Sequence, residues 1–410
     1  MRLEKLKLHN FRGFENFELD FHPEVTVLVG INGSGKTSIL DAVADVFKPI
    51  FGSGFDGGFI GPTDCRQGKN TAGIQVAGFY GDPKQPVEAA HLFDNGRWVS
   101  GTVDSIAFTQ EQKENGPLPV LCYYPVNRHA IDSTPGSTNP RVWTPEHALV
   151  RALGQSTVNY NDFFHWFREL EDLENEDRNH SPDYVNPQLQ TVRQALKYLL
   201  PGYSSPRVRR PRFGPEKKEL ATTKPVLVIK KDGQELPFDQ LSEGERTMAA
   251  LVCDIARRLA IANPGSTEPL KGDGIVMIDE IDLHLHPQWQ EKVIPTLRST
   301  FPNIQFIVTT HSPIVLGYVP KECVRLLHDF ELVESPPTEG RDPNSIYIDV
   351  FGQKLRKPEF DTKINKIALL IDEEKLEEAD EKLDLLAEKF GTDDGEVVRL
   401  RTLIAMLRED

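Results

Sequence analysis

The stretch VTVLVGINGSGKTSILDAVADVF, residues 25–47, decides the fold. Its first five residues are apolar or β-branched with no alternation, the pattern of a strand buried on both faces. GINGSGKTS, residues 30–38, follows at once and matches G-x-x-x-x-G-K-[ST], and the apolar spacing behind it continues as a helix. Strand, glycine loop and helix in that order make a cradle for phosphate. Gly30, Gly33 and Gly35 let successive backbone N–H groups turn inward, Asn32, Ser34 and Ser38 complete the loop, and the helix start adds its positive end. Lys36 is placed to reach β- and γ-phosphates and Thr37 to hold magnesium, so ATP and Mg2+ are the expected ligands.

Two further buried runs, GIVMI (274–278) and IQFIV (304–308), are each bounded by helix-like segments. Together they predict a mainly parallel sheet with crossover helices, an α/β core. The first run leads to Asp279 and Glu280 at the carboxyl edge of the sheet, where ligands bind in such folds. Asp279 is placed to support the magnesium and Glu280 to polarise an attacking water. The second run ends VTTHSP, which puts His311 within hydrogen-bonding reach of a γ-phosphate or of that water. His284 and His286 form an H-x-H pair, but with no third ligand set by the sequence they read as structural contacts near the nucleotide and not as a zinc site.

Outward from this core, Leu3, Leu6 and Leu8 and the alternation in FELDF (17–21) predict two short antiparallel strands. GIQVAGFY, VEAAHLF and PVLCYYPV read as strands of an antiparallel lobe, and NDFFHWFRELEDLEN and LQTVRQALKYLL as helices of an insertion. Residues 207–224 are locally basic. From Phe351 onward two or three acidic amphipathic helices close the chain, with Leu376, Ala379, Leu383, Leu386 and Phe390 in a three-four spacing that Val397, Leu400, Ile404 and Leu407 repeat. That stripe is read as packing within its own domain, with docking of a partner as the alternative. The expected layout is an N-terminal lobe at 1–130, an inserted helical subdomain at 131–220, a second lobe at 221–352 and a helical tail at 353–410.

The 410 residues carry a formal charge of −15 and are 39% hydrophobic, which suits a soluble protein and counts against extensive contact with nucleic acid phosphates. Arg207, Arg209, Arg210, Arg212, Lys217 and Lys218 make the one local basic patch, read as a solvated loop or else as a site for nucleic acid or an acidic partner. Four scattered cysteines suggest neither a disulfide framework nor a thiolate metal site, and point to a reducing cytoplasm. The N-terminus lacks an apolar signal core, and no window has the roughly 18 apolar residues of a membrane span.

LSEGERTMAAL, residues 241–251, opens an amphipathic helix on Ser-Glu-Gly-Glu-Arg. Ser242 is a natural N-cap, and the N–H groups behind it form an anion site. With this segment in place the sequence resembles the ATP-binding cassette ATPases: Walker A at 30–37, signature at 241–245, Walker B at 275–280 and switch histidine at His311. The resemblance implies two subunits paired head to tail, with Ser242 and Gly244 closing over the γ-phosphate held by the other subunit and residues 282–285 as the D-loop crossing that interface. The opening LEKLKLHNFRGFENFEL is similar to the RecF, SMC and OLD branch, which places Arg12 near the nucleotide. Gln67 in CRQGKN is the candidate for the Q-loop residue at the magnesium. The middle section has no sustained heptads for coiled-coil arms and no zinc hook.

More narrowly, LCYYPVNR, WFRELEDLENE, LSEGERTMAAL, IDEIDLHLHPQWQEKVIP and FIVTTHSPIVLG together resemble the ATPase subunit of Septu-type and related retron-associated anti-phage systems. So does DPNSIYIDVFGQKLRKPEF with the acidic helices after it. This implies a homodimer, assembled further in some systems, that restrains a separate HNH nuclease; in retron versions a reverse transcriptase with its DNA and RNA also takes part. Arg128 of PVNR is a candidate near the nucleotide or the partner, with a surface ion pair as the alternative. The competing reading is a RecF-like repair ATPase that clamps DNA. An OLD-type nuclease would need a further metal domain, for which the roughly 60-residue tail is too small.

Overall fold

The computed structural model describes residues 1–48, 61–81, 84–94, 97–100, 110–126, 143–153, 160–200, 202–203, 206–210, 225–231, 233–352 and 357–409. The chain divides into two compact units, Met1–Ile346 and Tyr347–Asp410.

The first unit opens with β1 (Arg2–Phe11) and β2 (Phe14–Asp20), whose alternating apolar residues face one side of an antiparallel pair. β3 (Val25–Gly30), buried at every position, then feeds α1 (Lys36–Phe47). β4 (Thr71–Tyr80), β5 (Gln85–Asp94) and β6 (Arg97–Ser100) extend the first pair into a five-stranded antiparallel sheet ordered β2-β1-β4-β5-β6. α1 touches β4 and β5 of that sheet and β3 and β12 (Ile304–Thr310) of the next, so it lies between two sheets. This is why Ile39 and every residue after it in the helix are buried, Asp41 and Asp45 included.

α2 (Gln110–Asn115) and β7 (Val120–Tyr124) follow, then α3 (Tyr160–Asp177) and α4 (Pro187–Leu199), which Asn186 caps by accepting from the N–H groups of Gln188 and Leu189. β8 (Arg207–Arg209), β9 (Val226–Lys231) and β10 (Gln234–Pro237) form a small antiparallel sheet. α5 (Glu243–Ala262) is buried almost throughout from Met248 onward, because α3, α4 and β7 all pack on it. After β11 (Gly274–Ile278) come α6 (Pro287–Gln290), α7 (Val293–Thr300), β12, α8 (Pro313–Leu316), the hairpin of β13 (Val324–His328) and β14 (Glu331–Val333), and α9 (Pro343–Phe351).

The central sheet runs β14-β13-β3-β12-β11-β7, parallel except for the β13–β14 hairpin. The α/β fold is therefore the one expected from the buried runs, with one correction. β7, expected in the antiparallel lobe, pairs parallel with β11, Gly274 opposite Val120 through Ile278 opposite Tyr124. A short apolar run has the same pattern in either setting, and only its neighbours decide. One buried side chain joins the two large sheets: Gln305 Oε1 accepts the Leu3 N–H (2.7 Å), and Gln305 Nε2 donates to the carbonyls of Leu3 (2.9 Å) and His22 (3.0 Å). It satisfies backbone groups that would otherwise be buried unpaired.

In the second unit α10 (Pro358–Asp372), α11 (Leu376–Phe390) and α12 (Gly395–Glu409) enclose their own core of Ile364, Ile367, Leu370, Leu383, Leu386, Val397, Leu400 and Ile404. The three-four stripe is consumed there, apart from Leu407, which is exposed. Among the described residues no helix is long and apolar enough to cross a membrane.

Candidate nucleotide site

At the carboxyl end of β3 the chain turns through the glycine loop into α1. Gly35 holds φ 101°, and a Cβ there would meet the Phe14 ring at 2.5 Å, so both backbone and space require glycine. Lys36, only 6% exposed, donates from Nζ to the carbonyls of Gly30 (2.9 Å) and Ile31 (3.0 Å). Burial lowers its pKa, while Asp279, Glu280 and Asp282 act in the opposite sense.

Across the loop, Thr37 Oγ1 donates to Asp279 Oδ2 (2.8 Å) and Thr309 Oγ1 donates to Asp279 Oδ1 (2.6 Å). Thr309 Oγ1 in turn accepts the Glu280 N–H (2.7 Å), and the Ile281 N–H donates to the Thr309 carbonyl (2.9 Å). These bonds hold Glu280 at φ 47°, a left-handed conformation that costs a non-glycine residue roughly 1–2 kcal/mol. Strain of this kind collects at functional sites, and here it turns the chain sharply just past β11. His311 follows β12, half-buried; burial first, and then the charge of Lys36, pulls its pKa down toward the neutral imidazole.

Arg12 sits at the β1–β2 turn with φ 48°. Its Nη1 reaches Asp41 Oδ2 (2.7 Å) and Ser38 Oγ (3.1 Å), and its Nε reaches Asp64 Oδ1 (2.6 Å). Asp41 also accepts from the Tyr123 hydroxyl (3.1 Å), so the β1–β2 turn, the start of α1 and β7 share one polar network.

Arg12, Asn32, Gly33, Gly35, Lys36, Thr37, Ser38, Asp279, Glu280 and His311 line a single cavity of about 400 Å³ with Gly13 and Phe330. Gly30 and Ser34 are not part of that lining, and Ser34 Oγ is buried. A hydroxyl and a carboxylate side by side, Thr37 and Asp279, are the hard oxygen donors that magnesium takes, and the size suits a small-molecule ligand.

Three expected participants are elsewhere. Gln67 is exposed and does not line the cavity. Its segment is tied along β1, with the Arg66 N–H donating to the Asn10 carbonyl (2.8 Å) and Cys65 bridging Phe11. The strand bordering Asp279 is β7, whose Tyr124 carbonyl accepts the Asp279 N–H (2.9 Å). Ser242 and Gly244 are also absent from this chain's cavity. Ser242 caps α5 in a reciprocal box with Glu245, its N–H donating to Glu245 Oε2 (3.1 Å) and its hydroxyl to the same oxygen (2.8 Å). Gly244 is buried, and a Cβ there would lie 2.8 Å from the His284 carbonyl. The start of α5 is thus seated on residues 282–285 of its own chain, where His284 Nδ1 also lies 3.4 Å from Glu243 and Thr310 Oγ1 donates to Asp282 (2.5 Å). His286 caps α6, accepting from the Gln288 N–H.

The basic patch changes character in the fold. Arg207 pairs with Glu235, and Arg210 with Asp172 and Glu171. Arg212, Lys217, Lys218 and Arg128 lie outside the described residues. Sequence reading missed Thr309, the hydroxyl between Asp279 and Glu280, although it stands two residues before His311 in the quoted VTTHSP. It also missed Phe330, which nothing nearby in the sequence marks.

Comparison with known proteins gives the site its context. A family described as "AAA domain, putative AbiEii toxin, Type IV TA system" matches residues 148–317, and one described as "AAA ATPase domain" matches residues 1–84. The Retron Ec83 probable ATPase of Escherichia coli is 29% identical, over 98% of this chain and 86% of that protein. The Retron Vc95 probable ATPase of Vibrio cholerae serotype O1 biovar El Tor is 26% identical over 81% of this chain and 74% of its own length. Septu protein PtuA of Bacillus mycoides (strain KBAB4) is 26% identical over 80% of this chain and 41% of its own. Likeness of that extent, on a fold that brings the loop and strand-end residues into one cavity, makes the chain an ATPase similar to those of retron and Septu defence systems.

Proposed function

We propose that this ATPase closes as a head-to-tail homodimer around ATP and magnesium, and that its nucleotide state gates a separate HNH-type nuclease in cytoplasmic anti-phage defence. In a retron setting a reverse transcriptase with its DNA and RNA would join the assembly. The observation that carries the reading is the chain of bonds from Thr37 through Asp279 and Thr309 to Glu280, which ties the phosphate loop to the end of β11.

Thr37 and Asp279 would hold the magnesium, which supplies charge neutralisation at the phosphates. Lys36, now on the loop carbonyls, would turn its ammonium to the β- and γ-phosphates. Glu280 would polarise the attacking water, and His311, kept neutral by burial, would accept or donate at the γ-phosphate. Arg12, already shared between Asp41 and Asp64, would position the loop side of the nucleotide.

Ser242 and Gly244 belong to a helix that does not reach this cavity, which supports a second copy supplying them. Because Gly244 rests on the His284 backbone, the signature of one subunit and the Walker B turn of the same subunit would move together, coupling the two composite sites. Ser242→Arg should leave ATP affinity at the phosphate loop unchanged while abolishing ATP-driven dimerisation, measured by light scattering with and without nucleotide. Normal dimerisation of that variant would refute the proposed role in trans. The paired state of Arg207 and Arg210 weakens the competing DNA-clamp reading, since a phosphate backbone would have to displace three carboxylates, Glu235, Asp172 and Glu171.

Native mass spectrometry of the protein purified from its own locus tests the partner. Co-purification of a chain with an HNH motif supports gating of a nuclease. A bare dimer, or a dimer carrying only DNA, would overturn it.

A further inference from the structure

The β13–β14 hairpin turns through two residues, Asp329 and Phe330, with His328 opposite Glu331. Both turn residues have positive φ, 48° and 66°. A two-residue turn of this kind favours glycine at its second position, and a phenylalanine held there is strained. The ring it carries does not point idly into solvent. It stands edge-on to Phe14, with centroids 5.2 Å apart, and occupies the space that a Cβ on Gly13 would need, at 2.3 Å. It also borders the cavity that holds Lys36, Thr37 and Asp279. Among the described residues lining that cavity, Phe330 alone carries a purely hydrocarbon side chain. The rest are glycines and polar or charged groups suited to phosphate and metal.

We propose that Phe330 is the platform for the nucleoside end of the bound nucleotide: its ring, seated in the space that Gly13 leaves open, offers the apolar face on which the base rests. The inference rests on the nucleotide reading of the cavity given above. It assigns the one apolar wall to the one part of ATP that phosphate-binding groups cannot recognise. Aromatic side chains stack on any base through its π-face, so the platform sets affinity for a nucleoside without choosing sharply among bases.

The test compares magnesium-ATP with magnesium-tripolyphosphate by calorimetry on the full chain. Phe330→Gly gives the turn its favoured residue and removes the ring. It should weaken ATP by about tenfold, in the range that loss of one base stack produces, and leave tripolyphosphate unchanged. Phe330→Leu, which keeps an apolar side chain at the turn, should weaken ATP severalfold with the same indifference to tripolyphosphate, and Phe330→Tyr should restore it. Equal weakening of both ligands would show that the ring only props the phosphate loop, and unchanged ATP binding would show that it does not touch the nucleoside. Either result overturns the proposal. Failure of the wild-type protein to bind either ligand would instead overturn the nucleotide reading itself.

Discussion

Glu280→Gln is expected to bind ATP as tightly as the wild-type protein while lowering turnover by about 10²–10⁴-fold, the usual worth of a positioned general base. The amide keeps the length and planarity of the carboxylate, and the backbone that aims it is held by groups the substitution does not touch: the Thr309 hydroxyl on the Glu280 N–H and the Thr309 carbonyl on the Ile281 N–H. Binding and chemistry should therefore separate. The variant should accumulate as an ATP-bound dimer with a long lifetime, visible by light scattering, whereas Lys36→Ala should remain monomeric because the ammonium at the phosphates is gone. Single-turnover kinetics decide the matter: a wild-type hydrolysis rate in Glu280→Gln would remove that residue from the role of base.

Asp254→Ala should destabilise the first unit by roughly 3–5 kcal/mol, the cost of stranding buried charge. Asp254 is 1% exposed on α5 and accepts from Arg257 Nη2 (2.6 Å), Arg258 Nε (2.7 Å) and the Tyr124 hydroxyl (2.9 Å). Arg258 continues to the carbonyls of Ala148 (2.6 Å) and Val150 (3.2 Å). Burial alone would raise the carboxyl's pKa, but Arg258 and Arg257 outweigh it and hold the group well below the usual carboxylate range. A depressed folded-state pKa contributes stability in full above the unfolded value of about 3.9 and loses it as pH falls toward the folded value. The gap between wild type and Asp254→Ala should thus stay constant from pH 8 to 5 and narrow in acid. A gap that widened on acidification would contradict the pairing. Chemical denaturation at several pH values measures it.

The phosphate loop was legible because its chemistry is contiguous: nine adjacent residues contain the strand end, the glycines and the lysine. Asp279, Glu280 and His311 were legible because each ends a buried run, and buried runs announce a parallel sheet. Phe330 was not, since what makes it informative is Gly13, more than three hundred residues away in sequence. Arg12 could be guessed, but not that Asp41 and Asp64 would fix it from two other segments. Gln67 illustrates the opposite failure: a glutamine in a polar loop has no pattern to anchor it, and the edge next to Asp279 belongs to β7. In the tail, the three-four stripe foretold helices packed within their own domain, while the share that Ile364, Ile367 and Leu370 of α10 take in that core depends on how three such stripes meet.

The order of the central sheet bears on how the protein is made. β3, centred near residue 28, has β12 and β13 as its two neighbours, both encoded beyond residue 300. At 5–20 residues per second, synthesis leaves the phosphate-loop strand with both edges unpaired for roughly a quarter of a minute to a minute. A nascent or truncated chain holds the complete Walker A sequence without the sheet that shapes it, and Gln305 cannot fasten Leu3 until the same late stage. The sheet that shapes the phosphate loop is thereby complete only once β12 and β13 have been made, and until then the strand, apolar on both faces, waits as an unpaired edge.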